Sequence, residues 1–331
     1  MRYWFSILLL SLSFCLSNAQ AEESTPENEP LAADEVETIE FERPAIHSRS
    51  QIAANEFRTT FPEQFIEIPG TANHYPALYL PANAKTAKGL IVFVPGLLET
   101  ADSVTNIAQL RRAVTDKGWN SLSLNLPDPE PELLRIESTP ITLSDTDTAN
   151  TKESEQSEEP TTETVSEPFL GDDNAIISTD EVTTDVAAES AAADYAATIE
   201  PLLNATLEYI ATQQAKKIIF IAQHEGAYWL LDYLTTHKTQ SINAILLINP
   251  RHPRQAKQKF AFFITELDIT TVDFYSTNSP SQANEAKERL NASKRKAKSD
   301  FQQLKINGLS EKTAQQRAQT KVLGWLHRYQ P

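Results

Sequence analysis

Residues 217–231 read KIIFIAQHEGAYWLL, and this stretch constrains the fold more than any other. Ile218-Ile219-Phe220-Ile221 is a β-branched and aromatic run, the pattern of a buried strand. From Gly226 the spacing becomes helical, with Ala227, Leu230, Leu231 and Leu234 at i, i+3, i+4 and i+7. Ala222-Gln223-His224-Glu225-Gly226 must therefore turn the chain sharply from strand into helix. A strand feeding directly into a helix predicts an α/β architecture, with His224 exposed on the turn.

The same alternation continues along the core. Residues 65–68 and 75–80, on either side of Pro69-Gly70, predict an antiparallel hairpin at a sheet edge. Strands follow at 90–94, 121–126, 217–221, 242–248, 270–275 and 301–306. Helices are expected at 103–117, 190–213, 226–236 and 312–328, the second restarted or kinked at Pro201. The pattern implies a mainly parallel sheet with helices on both faces. Ligands of such sheets bind beyond the carboxyl ends of the strands, here at 95–100, 223–226, 249–254 and 276–280.

Outside this core the composition changes. Residues 1–21 carry a basic Arg2, an apolar run and an Ala19-Gln20-Ala21 cleavage pattern, which predicts a signal peptide and export to the periplasm or envelope. No stable membrane span is expected after cleavage. Cys15 is the only cysteine, so the mature chain has neither a disulfide nor a cysteine nucleophile. Residues 22–43 hold nine acids and one base, and residues 128–190 hold eighteen acids and two bases. Both segments lack the apolar content to offset ordering entropy and are expected to be disordered, the second as an insertion. The domain then comprises 44–127 and 191–331, 225 residues with 25 bases and 18 acids. The overall charge of −16 belongs to the two acidic segments and says nothing about the core's partners.

The hairpin, VFVPGLLE, LNLP, IAQHEGA, INP and the closing GWLHR together resemble the α/β-hydrolase superfamily over most of residues 60–331. FVPG, HEGA and INPR are similar to an uncharacterised proteobacterial envelope family, a domain of unknown function with a degenerate nucleophile elbow. The superfamily resemblance implies a G-x-S-x-G elbow, an acid after a late strand and a histidine after the last. Here the elbow holds His224, Ser276–Pro280 holds no acid, and Asn307–Ser310 holds no histidine. Asp273 lies within its strand, facing the helices rather than the site. The resemblance also implies an oxyanion hole built from the N–H groups of Leu97 and Glu225.

His224 is the candidate nucleophile or general base, with Glu225 or Glu99 to orient it. Gln223, Asn249, Arg251 and His252 join Leu97 as candidate ligand-binding residues, and Arg251, His252 and Arg254 suit an anion. The remaining histidines show no ligand spacing, so neither metal nor cofactor is expected. Bases Lys287, Arg289, Lys294, Arg295, Lys296 and Lys298 suggest a basic, solvated helix face. No stacking aromatics interleave with it, which argues against nucleic acid.

Three readings follow. The first is an exported pseudoenzyme, a binding or interaction module for a small molecule or an envelope protein. The alternative is an esterase-type hydrolase using His224 by a non-standard mechanism. In a third reading the core is a mount for the acidic insertion. A contact between His224 and an acid that opens into a pocket would favour the enzyme, and a filled pocket the module.

Overall fold

A computed structural model of the chain describes residues 47–134, 179–237, 242–253, 256–307 and 311–329. Eight strands form one sheet: β1 Phe65–Pro69, β2 His74–Leu80, β3 Leu90–Val94, β4 Asn120–Leu124, β5 Ile218–Gln223, β6 Ala244–Ile248, β7 Thr270–Ser276 and β8 Phe301–Ile306. The helices are α1 Arg49–Thr60, α2 Ile107–Ala113, α3 Pro131–Leu134, α4 Thr179–Thr212, α5 His224–His237, α6 Phe260–Glu266, α7 Pro280–Arg295 and α8 Glu311–Arg328. The strand order is β1-β2-β4-β3-β5-β6-β7-β8. β1 and β2 pair antiparallel, β2 pairs antiparallel with β4, and β4 through β8 run parallel. The mainly parallel α/β-hydrolase-like sheet expected from the sequence is the fold observed.

Alternation within the buried strands divides the core in two. Leu90, Val92 and Val94 of β3, with Phe220 and Ala222 of β5, pack under α4, α5 and α6. Ile91 and Phe93, with Ile219 and Ile221, face α2 and α8 on the other side. Asp273 follows the same rule. Val272 and Phe274 join the second cluster, while Asp273 points the other way into an ion pair with Arg289 of α7 at 2.8 Å.

Several expectations change. The helix expected over 103–117 is the shorter α2 followed by a 3₁₀ turn at Thr115–Lys117. Pro201 does not restart the second helix, because α4 runs through it. Buried Tyr195, Ile199, Leu202 and Leu203 anchor the helix on both sides of the proline. Their burial outweighs the roughly 3 kcal/mol that an interior proline costs. Arg289 is not on a solvated face; it is 2% exposed and serves Asp273. The acidic insertion is narrower than 128–190: Asp128 accepts from the Ser50 N–H at 3.0 Å, Leu133 is buried, and α4 already begins at Thr179. The expected signal peptide, the expected arm at 22–43 and most of that expected insertion lie outside the described residues. Among the described residues no helix is long and apolar enough to cross a membrane.

Candidate functional site

Three non-glycine residues with left-handed backbones lie just past the carboxyl ends of adjacent strands: Leu98 (φ 62°) after β3, His224 (φ 50°) after β5 and Asn249 (φ 45°) after β6. Asparagine tolerates this region; leucine and histidine do so at a cost. The turn at His224 depends on glycine beside it. A Cβ on Gly226 would run into the Pro95 carbonyl oxygen. A Cβ on Gly96 would crowd the Glu99 carboxylate at 2.9 Å and the His224 Cβ at 3.0 Å. Small residues thus bring the β3 loop against the elbow.

That approach delivers Glu99 to His224. Glu99 Oε1 lies 3.1 Å from His224 Nδ1 and accepts from the Thr105 hydroxyl at 3.1 Å. Its Oε2 accepts from the Gly96 N–H at 2.7 Å and from the Gln223 side-chain amide. Burial alone would push the Glu99 pKa up. The hydrogen bond and charge of His224, the Gln223 amide and the Gly96 N–H outweigh it, holding the pKa down at about 2 against an ordinary 4.5. An ionised carboxylate only accepts, so Nδ1 carries the hydrogen of this contact, and in the neutral imidazole it is Nε2 that presents a lone pair. Nε2 has no partner among the described residues, and the side chain is 14% exposed.

His224 lines an open cavity of about 470 Å³. Leu97, Leu98, Leu133 and Leu134 supply its apolar wall; Glu225, Arg251 and His252 supply polar groups. The N–H groups of Leu97 and Glu225 have no bonded partner among the described residues, as donors of an oxyanion hole require.

The candidate residues thus sort by position. Glu99, not Glu225, holds His224. Gln223 is buried beneath the cavity and braces Glu99, with a further bond to Thr105 Oγ1 at 3.0 Å. Arg251 is exposed at the cavity rim. His252 also lines the cavity, but its ring nitrogens bond the carbonyls of Pro253 and Gln258, both at 2.8 Å, which ties up its own loop. Asn249 lines a different small cleft with Tyr275 and Arg289. Arg254 lies outside the described residues. Thr105, Leu133 and Leu134 were not candidates. Only the Leu133-Leu134 pair, apolar within an acidic segment, carried a signal in the sequence.

The triad positions stay empty of triad chemistry. β7 ends in Ser276, whose hydroxyl accepts from the Asn278 N–H at 3.2 Å. Asp273 is fully buried on Arg289 and Gln303. β8 runs out into Asn307, and the following residues 308–310 lie outside the described residues. No cluster of three metal-ligating side chains occurs among the described residues.

Solved structures share this architecture. An esterase from Pyrococcus furiosus superposes with a TM-score of 0.50 at 9% identity, over 81% of this chain and 91% of that one. The esterase domain of a Rhodothermus marinus protein gives 0.48 at 9% identity, over 80% and 98%. A dienelactone hydrolase from Anabaena variabilis gives 0.46 at 10% identity, over 81% and 97%. At 9% identity the likeness to the Pyrococcus furiosus esterase speaks to fold alone. No curated protein sequence matches the chain. A family model described as "Protein of unknown function (DUF3530)" matches residues 4–328, and with the α/β-hydrolase fold in place the chain belongs to that family.

Proposed function

We propose that this protein is a hydrolase that attacks an ester with water instead of a side-chain nucleophile. One observation carries the reading: the imidazole of His224 is held at Nδ1 by an ionised carboxylate while Nε2 stands unbonded in an open cavity. His224 Nε2 takes a proton from water, and the resulting hydroxide adds to the ester carbonyl. The N–H groups of Leu97 and Glu225 stabilise the oxyanion. Collapse of the intermediate breaks the bond to the leaving oxygen, which takes the proton back from the imidazolium. Acid and alcohol are the products.

The cell envelope is the proposed location, supported by the export pattern of residues 1–21. A non-catalytic binding module for a small molecule is the second reading. It is favoured by the absence of serine, acid and histidine from the residues at the three triad positions.

A panel of acyl esters offered to the mature protein tests the first reading. Turnover should exceed that of His224→Ala by about 10²–10⁴, the usual contribution of a general base. Equal rates in the two proteins, both properly folded, would exclude it and leave the binding module.

A further inference from the structure

A second cavity, of about 420 Å³, lies between α4 and α5, a volume suited to a small organic molecule. One wall is the alanine face of α4, where Ala192, Ala193 and Ala196 leave the space that larger side chains would fill. The other is a face of α5. Tyr228, Asp232 and Thr236 line the cavity at i, i+4 and i+8, and Trp229 and Tyr233 line it from the adjacent row. Asp232 therefore stands in the middle of that wall.

The charged and hydroxyl groups around it are already engaged. The Tyr233 hydroxyl donates to Asn204 Oδ1 at 2.5 Å, and the Tyr228 hydroxyl accepts from the Gln258 N–H at 3.3 Å. His237 and Glu200 bond each other at 3.1 Å, and the exposed Lys257 has a partner of its own. The Asp232 carboxylate is left over. It is half-buried and makes no hydrogen bond or ion pair among the described residues. Burial pushes its pKa up, and no neighbouring cation pulls it back. An unmatched negative charge thus stands between aromatic rings and a row of alanines.

We propose that this cavity binds an organic ammonium ion, an amine whose apolar body lies against the alanines and whose N–H groups donate to Asp232. The unmatched carboxylate selects this head group. An ammonium brings both the donors and the opposite charge, and a hydrogen bond between ionised partners is about twice as strong as a neutral one. An alcohol donates once and leaves the charge uncompensated as it displaces water. A carboxylate brings only acceptors and meets the like charges of Asp232 and Glu200. A metal ion would need more ligands, and no cluster of three ligating side chains occurs among the described residues.

Calorimetric titration of the full chain with naphthalenemethylamine, naphthalenemethanol and naphthaleneacetate tests this, because the three share one ring system and differ in head group. The amine should bind best and the acid worst. Asp232→Asn keeps the shape and removes the charge, and should weaken the amine roughly tenfold or more while hardly changing the alcohol. Ala196→Leu fills the space from the partly exposed side of α4 and should abolish binding, with thermal unfolding confirming that both variants fold. No binding of the amine would overturn the proposal. So would alcohol or acid binding as tightly as the amine, or an amine affinity unchanged in a folded Asp232→Asn or Ala196→Leu. Neither His224 nor Glu99 enters the measurement, so its outcome is independent of the hydrolase reading.

Discussion

The Glu99 carboxylate meets the His224 imidazole at 3.1 Å, although 125 residues separate the two in sequence. The contact exists because β3 and β5 are paired neighbours, so the loops leaving their carboxyl ends share one space. Glu99→Gln keeps the shape and removes the charge that supports a developing imidazolium. Ester turnover should fall about a hundredfold or more, while circular dichroism stays that of the wild type. An unchanged rate would detach Glu99 from the chemistry.

The same carboxylate makes stability depend on pH with a defined sign. Its pKa in the folded chain, about 2, lies below the ordinary 4.5. The stabilisation is therefore present above about 4.5 and is lost as pH falls through that window towards 2. Its full size is on the order of 3 kcal/mol. Denaturant titrations between these pH values should show the wild type losing its advantage over Glu99→Gln on acidification. Parallel stability curves for the two proteins would count against the assignment.

Leu98 carries positive φ and is 42% exposed, so it bears backbone strain and buries little in return. Leu98→Gly should stabilise the protein by about 0.5–1 kcal/mol, the relief of left-handed strain less the entropy glycine adds to the unfolded chain. A urea midpoint below that of the wild type would show that Leu98 is held by packing instead.

Asp273 and Arg289 are almost fully buried at 0% and 2% exposure. Asp273→Ala leaves the buried guanidinium with only the more distant Glu285, at 3.9 Å, and should cost about 3–5 kcal/mol. The double change Asp273→Leu with Arg289→Met should recover most of that loss. A single variant within 1 kcal/mol of the wild type, roughly the value of an exposed pair, would contradict the burial.

A fluorophosphonate probe should not label the protein, because the elbow offers an imidazole and no serine hydroxyl stands in its place. His224→Ser should not label either. It supplies a hydroxyl and removes the base that would activate it, since Glu99 then has no imidazole to act through. Mass spectrometry of the treated proteins decides the matter, and a labelled wild type would mean a nucleophile outside the elbow.

The strands were legible as short apolar or β-branched runs bounded by turn residues. β3 and β8 fall on the expected residues 90–94 and 301–306, and the elbow on its expected turn. α1 was not legible, because RSQIAANEFRTT buries only Ala53 and Phe57 and reads as polar. α6 escaped for the opposite reason: FAFFITE is short and almost uniformly apolar, so no period shows. Glu99 stood among the candidates by its place after a strand, but its choice over Glu225 needed the pairing of β3 with β5. Thr105 and Gln223 complete the same carboxylate network by long-range contacts that no local pattern encodes.

Leu98 and His224 both hold left-handed backbones, one after β3 and the other after β5, and both line the same cavity. The His224 carbonyl accepts from the Arg251 N–H at 3.1 Å and its ring meets Glu99 of the β3 loop, so the loops after β3, β5 and β6 are tied together. The mouth of the cavity is preorganised: its outline is set by the strands before any ligand arrives. A molecule that fits gives up its own freedom on entry without also having to order these residues, and one that does not fit meets a rim with little capacity to yield.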